Sequence, residues 1–397
     1  MTRNDTIPPD FKKCIDTATD LRLQLKFSDI NSKIATICSV YNSESIILKT
    51  IQELLEQSKR VGHTLDFFVI LNRGGGNTVN VFPPMDKSKG VLATYEKLRK
   101  KLGFDEIIQA TINEKGKLLL KEKLKTEESK NRLFVIHQHN SPLRAGKAVA
   151  LGDLFRYFLG TVSKTYQPKY LYMVDAETRL RVIPEGKSRF NPEIKTPDGL
   201  KEMINSVQPG QVVGSRFLFL KYSDKGEPRW GESIPPLQHS INLMIGTPTL
   251  NVANGGSLIG YYADFMPVYC SMFKVYPRTS NEDSLALTIL YAMNYQFKLL
   301  NQVIHTNLCP DSDIDAYNQF VRWKLANKCL REEVGIKMSR RLHKGNLYYM
   351  LFTIGSIFRW PGYERIGRIF QAFTLSSAID ITIEKEKHDW QNGDASW

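Results

Sequence analysis

The chain has 397 residues, with 54 Lys and Arg against 41 Asp and Glu, a formal net charge of +13. Hydrophobic residues make up 42% and charged residues 24%, which excludes wholesale disorder and allows a sizeable core. At about 150 residues per domain the length predicts two or three domains, or one large domain with an appendage.

The basic excess fits nucleic acid, an anionic membrane surface or phosphorylated substrates, and it fits a plain solubility charge equally well. The cysteines, Cys14, Cys38, Cys270, Cys309 and Cys329, are odd in number and lack zinc or redox spacing. That pattern predicts thiols acting as small hydrophobes in a reducing, cytoplasmic setting. The start, MTRNDTIPPDFKK, lacks an apolar signal core.

Taken in order, a polar leader precedes KIATICSVY, Lys33–Tyr41, an apolar and β-rich strand. Asn42 to Ser45 reads as a turn and helix cap, and IILKTIQELLEQSKR carries helical periodicity up to Gly62. LDFFVILN, Leu65–Asn72, is a second strand, so the order strand, helix, strand predicts a parallel α/β sheet. Lys87 to Arg132 is rich in lysines interleaved with glutamates and reads as a solvated helix or hairpin. RLFVIHQH, YLYMVD and QVVGSRFLFLK are expected to be the third, fourth and fifth strands, with a helix at AVALGDLFRYFLG. Beyond Leu285 the chain reads as mostly helical. No run reaches the ~20 apolar residues of a spanning helix. The nearest, Asn346–Phe358, reads first as a buried core helix and second as an interfacial membrane helix.

Four segments carry the residue types of a chemical site. Asp175 and Glu177 leave the end of an apolar strand one alanine apart, where open α/β sheets bind ligands. Two hard oxygen donors suit Mg²⁺ or Mn²⁺ on a diphosphate, although a solvated turn would look the same. Glu282 and Asp283 precede a helix, where acids cap the dipole or serve as a general base. Gln319, Arg322 and Trp323 share one face of a helical stretch; Arg clamps phosphates, and Trp more often serves a core. Arg144-Ala145-Gly146-Lys147-Ala148 lacks the Walker spacing, yet Lys147 opens a helix where a phosphate could sit.

In this order the segments resemble family-two glycosyltransferases, in particular the processive type that includes chitin, cellulose and hyaluronan synthases. The resemblance covers Lys33 to about Leu330. It rests on ICSVYNSESIILKTIQELLEQ, RAGKAVALG, MVDAETRL, NVANGGSLIGYY, NEDSLALT and the intact Gln-x-x-Arg-Trp of QFVRW. It implies a GT-A fold: an α/β, Rossmann-like, mixed and mostly parallel sheet flanked by helices, with a helical C-terminal extension. The expected layout is an extension over 1–32, a catalytic domain over 33–290 with a charged insertion at 87–132, and a helical region over 291–397.

The same resemblance implies a metal-dependent inverting hexosyltransferase using a nucleotide-sugar, UDP-linked, with Mn²⁺ or Mg²⁺ as cofactor. Asp175 and Glu177 would hold the metal. Asp283, with Glu282 beside it, would take the acceptor proton. Tyr41, Asn42, Lys147, Gln319 and Arg322 would hold the donor. Gly255, Gly256, Ser257 and Trp323 would line the acceptor, a glycan, a lipid-linked sugar or a protein. Three departures stand out: Asn72-Arg73-Gly74 replaces the family's acid after the second strand, Glu177 replaces an Asp, and no membrane helices follow. The first motivates an alternative, a binding protein on a degenerate GT-A fold. The lysine-rich insertion and the Asn346–Phe358 segment motivate peripheral membrane contact. A nucleic-acid binder would rest on charge alone, without a zinc, helix-turn-helix or aromatic RNA-binding signature, so nucleic acid is not an expected partner.

Overall fold

The computed structural model describes residues 7–27, 32–41, 43–72, 76–84, 89–112, 118–119, 125–138, 147–159, 165–184, 197–223, 226–229, 257–277, 279 and 282–312, and part of 314–335. The strands in chain order are β1 Lys33–Val40, β2 Thr64–Leu71, β3 Glu106–Ile112, β4 Leu118–Leu119, β5 Arg132–Gln138 and β6 Tyr170–Val174. They continue with β7 Arg179–Val182, β8 Gln211–Tyr222, β9 Pro228–Arg229, β10 Ser257–Tyr261 and β11 Gln296–Leu308. The sheet runs β4-β3-β5-β2-β1-β6-β10-β8-β11-β7, with β9 paired to β8. Five neighbours, β3-β5-β2-β1-β6, form an uninterrupted parallel block. β10 then enters antiparallel between β6 and β8. β11 lies parallel to β8, with a register shift between Leu300 and Ile304.

Helices cover both faces: α1 Pro9–Gln24, α2 Glu44–Arg60, α3 Lys89–Leu102, α4 Lys147–Asp153, α5 Gly199–Ser206, α6 Tyr262–Val275 and α7 Glu282–Ala292. The parallel strands are buried on both sides, so they read as continuous apolar runs and their side chains alternate between two cores. Ala35, Ile37, Phe68, Ile70, Phe134 and Ile136 join the core that holds α1, α4, α6 and α7. Ile34, Cys38, Phe67, Val69, Leu133 and Val135 join the core under α2, α3 and α5. In α2, Ile47, Ile51, Leu54 and Leu55 are buried at helical spacing, the stripe that its sequence periodicity predicts. All five cysteines are buried thiols.

Three sequence expectations need correction. The polar leader forms α1, which buries Phe11, Cys14 and Ala18 at helical spacing against α6. Arg22 of α1 ion-pairs with the buried Asp264 of α6 at 2.7 Å. The charged insertion is only partly helical: after α3 it supplies β3, which pairs with β5 and widens the main sheet. Its Ile107, Ile108, Thr111 and Ile112 are strand formers that the surrounding lysines obscured in the composition. Beyond Leu285 the helix α7 ends at Ala292, and the thirteen-residue strand β11 follows. A place between β8 and β7 outweighs the mixed local propensity of that segment. The expected helix at Asn346–Phe358 lies outside the described residues.

One buried ion cluster pins the starts of the parallel strands. Asp66 Oδ1 accepts from Lys33 Nζ at 3.2 Å and from Arg132 Nε at 3.0 Å. Asp66 Oδ2 accepts from Arg132 Nη2 at 2.6 Å and from Tyr166 Oη at 3.0 Å. Burial pushes the Lys33 ammonium below its ordinary value, and the pull of Asp66 restores only part of it.

Asp66→Ala strands two buried cations without their counter-charge. Urea unfolding is expected to report a loss of about 3–5 kcal/mol, and a change within error would reject the anchoring role. A second expectation concerns His137 on β5, which burial pushes down to about 4. The unfolded imidazole binds its proton near pH 6.5. Stability from this group is therefore present above about pH 6.5 and lost as pH falls toward 4. The melting temperature of His137→Gln is expected to fall less steeply than wild type across that window.

Candidate functional site

Because β1, β2, β5 and β6 run parallel, their carboxyl ends open on one edge. The segments that follow those strands therefore meet there, as in other open α/β sheets. Asp175 and Glu177 leave β6, and Lys147 opens α4 after β5. Glu282 and Asp283 occupy the first turn of α7, where carboxylates complement the helix dipole.

These side chains converge. The Lys147 Nζ lies 2.9 Å from Asp175 Oδ1, 3.0 Å from Glu282 Oε1 and 3.5 Å from Asp283 Oδ2. Burial alone would lower the Lys147 pKa, but Asp175, Asp283 and Glu282 together hold it well above its ordinary value. Burial raises the Asp175 carboxyl, yet Lys147 wins and keeps it below the usual range, helped by the amide of Asn307. Burial pushes Glu177 up to about 7, with the negative charge of Asp175 adding to the effect. Burial likewise takes Asp283 to about 7; Glu282 and Asp175 add to the rise, and Lys147 opposes it. The site is thus three carboxylates sharing one ammonium, with Glu177 near enough to feel the charge of Asp175.

The Asp175–Thr178 turn is held from below. The Thr178 hydroxyl accepts from the Asp175 amide at 3.1 Å, and the Asp175 carbonyl accepts from the Thr178 amide at 3.1 Å. Thr50 of α2 donates to the Ala176 carbonyl. Tyr222 of β8 donates to the Glu177 carbonyl at 2.6 Å and also contacts the Thr306 hydroxyl at 2.7 Å. Arg179 is fully buried beneath the turn, donating to Thr50 and to the Gly226 carbonyl at 2.8 Å. The backbone of the turn is therefore fixed from several directions.

No family model and no curated protein matches this sequence. Among solved structures, the chain is similar to the mannosyltransferase PcManGT from Pyrobaculum calidifontis in complex with GDP-Man and Mn²⁺. The match covers 92% of this chain and 89% of that one, at 10% identity and a TM-score of 0.39. A likeness at that level carries no argument, so the site is read from its own residues.

The structure brings together Asp175, Glu177, Lys147, Glu282 and Asp283, all of which the sequence motifs single out. Tyr41 sits in the bend directly after β1. Gln319 is half-buried, with a buried amide oxygen that has no hydrogen-bond partner. Ser257 is fully buried at the start of β10, and its hydroxyl is engaged by Tyr172 at 2.7 Å. Through β10 it pairs with Val174, the last residue of β6 before Asp175. Asn42, Gly255, Gly256, Arg322 and Trp323 lie outside the described residues.

Sequence reading missed His305 and Asn307, two residues apart on one face of β11. His305 accompanies Asp175 electrostatically and bonds the Ser215 hydroxyl at 2.9 Å. The amide of Asn307 helps to hold the Asp175 carboxyl below its usual range, while the buried Oδ1 of Asn307 has no hydrogen-bond partner. No clear period in the segment marked β11 as a strand, so the sequence held little signal for either residue. Among the described residues, no group of three or more His, Cys, Asp or Glu is arranged as a metal cluster. No described helix is long and apolar enough to cross a membrane.

The clamp from Tyr222 is open to test. Tyr222→Phe removes the donor to the Glu177 carbonyl. It is expected to lower stability in urea by about 1–2 kcal/mol, whereas an unchanged midpoint would mean that the turn does not need this bond.

Proposed function

We propose that the chain is a metal-dependent, inverting glycosyltransferase of the GT-A type. It moves a hexose or N-acetylhexosamine from a nucleotide-sugar, UDP-linked, to a hydroxyl on a glycan, a lipid-linked sugar or a protein. The observation that carries the reading is the meeting of Asp175, Glu282 and Asp283 around Lys147 at the carboxyl ends of parallel strands. Those residues come from three separate segments that resemble the metal, acid and lysine motifs of one family.

The reading implies Mn²⁺ or Mg²⁺, and the residues fit such an ion. Asp175 and Glu177 offer hard oxygens, and Asn307 Oδ1 is a third, buried and without a partner beside Asp175. Burial first, and then the charge of Asp175, raise the Glu177 carboxyl, and a bound cation would offset both. When bound, the ion would neutralise charge on the departing diphosphate.

The remaining chemistry falls to the side chains. The acceptor oxygen forms a bond to the anomeric carbon as the bond from that carbon to the diphosphate breaks. The diphosphate leaves with the electron pair, and Asp283 takes the acceptor proton. A carboxylate whose pKa lies near 7 is matched to that task at neutral pH. By the family resemblance, Gln319 and Arg322 secure the diphosphate, Trp323 lines the acceptor, and Tyr41 and Asn42 face the nucleotide. The catalytic domain is assigned to 33–290, with the region over 291–397 contributing β11 and the Gln-x-x-Arg-Trp motif. A peripheral position at a membrane surface belongs to the same proposal.

One second reading is favoured by Asn72, which stands at the end of β2 where the family carries an acid for the nucleotide base. It is a binding protein on a degenerate fold, and a panel of nucleotide-sugars with Mn²⁺ giving binding without transfer would select it.

Asp283→Asn is expected to cut sugar transfer by about 10²–10⁴-fold while calorimetry still detects donor binding. Undiminished transfer by this variant would remove Asp283 from the role of base.

A further inference from the structure

The position of Lys147 differs from that of a residue waiting for a phosphate. An ammonium has three donors and no acceptor, and here it is met by three carboxylates within 3.5 Å. Its charge is therefore already paired with acids of the site. The shortest of the three contacts, 2.9 Å, goes to Asp175, the residue that also offers oxygen to a divalent cation. Lys147 is a third exposed and Asp175 about a quarter, so the pair borders solvent at the mouth of the site. A divalent ion held by Asp175 and Glu177 would face a unit positive charge across a single carboxylate, and at that range the repulsion is large.

We propose that Lys147 is the site's built-in counter-cation, competing with the divalent ion for Asp175. This rests on the metal-dependent reading above. The ammonium holds Asp175, Glu282 and Asp283 at one point against their mutual repulsion. A divalent ion can take Asp175 only as Lys147 gives it up. The negative charge of a diphosphate, arriving at the same place, is what allows both cations to remain. The ion therefore enters with the nucleotide in preference to ahead of it. Lys147 is a positioning residue in this scheme, linking the metal carboxylate to the base.

The test is titration of Mn²⁺ alone into the full chain, with free Mn²⁺ read by electron paramagnetic resonance. Lys147→Gln is expected to bind Mn²⁺ at least about tenfold more tightly than wild type, and Lys147→Arg, which keeps the charge, is expected to show no gain. Equal or weaker binding by Lys147→Gln, with wild type still binding, would overturn the competition and leave the metal reading intact. No binding by either protein, with or without UDP, would overturn the metal reading itself. A measurement on wild type avoids any dependence on folding of the variants. Acetylation of Lys147, followed by mass spectrometry, is expected to speed up several-fold at saturating Mn²⁺ as the ammonium leaves Asp175; an unchanged rate would count against the proposal.

Discussion

The carboxylate of Asp66 takes hydrogen bonds from Lys33, Arg132 and Tyr166, and so ties the starts of β1 and β5 and the approach to β6 to one point in β2. Lys33 and Asp66 are wholly buried, and Arg132 nearly so. Such an arrangement holds only while every member has its partner, because desolvating a charge costs several kcal/mol. Its value is register. A parallel strand that slips by one residue turns its whole apolar set to the wrong face. With the starts pinned, β1, β2, β5 and β6 end together, and the loops at the opposite edge are delivered to a common place.

The two edges are charge-inverted copies of one idea. At the start of the strands, two cations surround one carboxylate, and water is excluded. At the finish, several carboxylates surround one ammonium that is a third exposed. The first arrangement is closed and satisfied, and it acts as a structural tie. The second carries more negative charge than its lysine can balance, and two of its acids, Glu177 and Asp283, are driven up to about 7. A protein that carries unbalanced charge at the carboxyl end of a parallel sheet, on a turn fixed by Tyr222, Thr50 and Thr178, has the arrangement expected of a working site.

Much of this was legible in the residues. β1, β2, β5 and β6 are apolar runs buried on both faces and α2 carries a one-sided apolar stripe, so pattern and tertiary structure agree. Asp175 and Lys147 sit at strand and helix ends that the same pattern marks. What escaped was set by contacts distant in sequence. β3 reads as part of a charged insertion until β5 is laid beside it. β11 has no clear period of its own and becomes a strand because β8 offers an unpaired edge. Since β11 was hidden, His305 and Asn307 were hidden too. The hydroxyl of Ser257 was not placed by the sequence either; in the structure it is tied to Tyr172 within the sheet.

The chain is basic overall, at +13, yet its candidate site is acidic. Under the proposed function, this contrast suits a ligand that does not arrive as a bare anion. A diphosphate brought alone to Asp175, Glu177, Glu282 and Asp283 would meet repulsion that a single ammonium could not offset at such short range. A diphosphate carried with a divalent cation arrives nearly neutral, and the carboxylates then attract its metal. The basic excess acts at longer range, where it raises the local concentration of anionic ligands. On the proposed reading, contact at the site is governed by the acids, and these favour the ligand in its metal-bound form. On the proposed reading, an acidic site in a basic protein therefore selects a metal–diphosphate complex over free nucleotide without any contact to the base or the sugar.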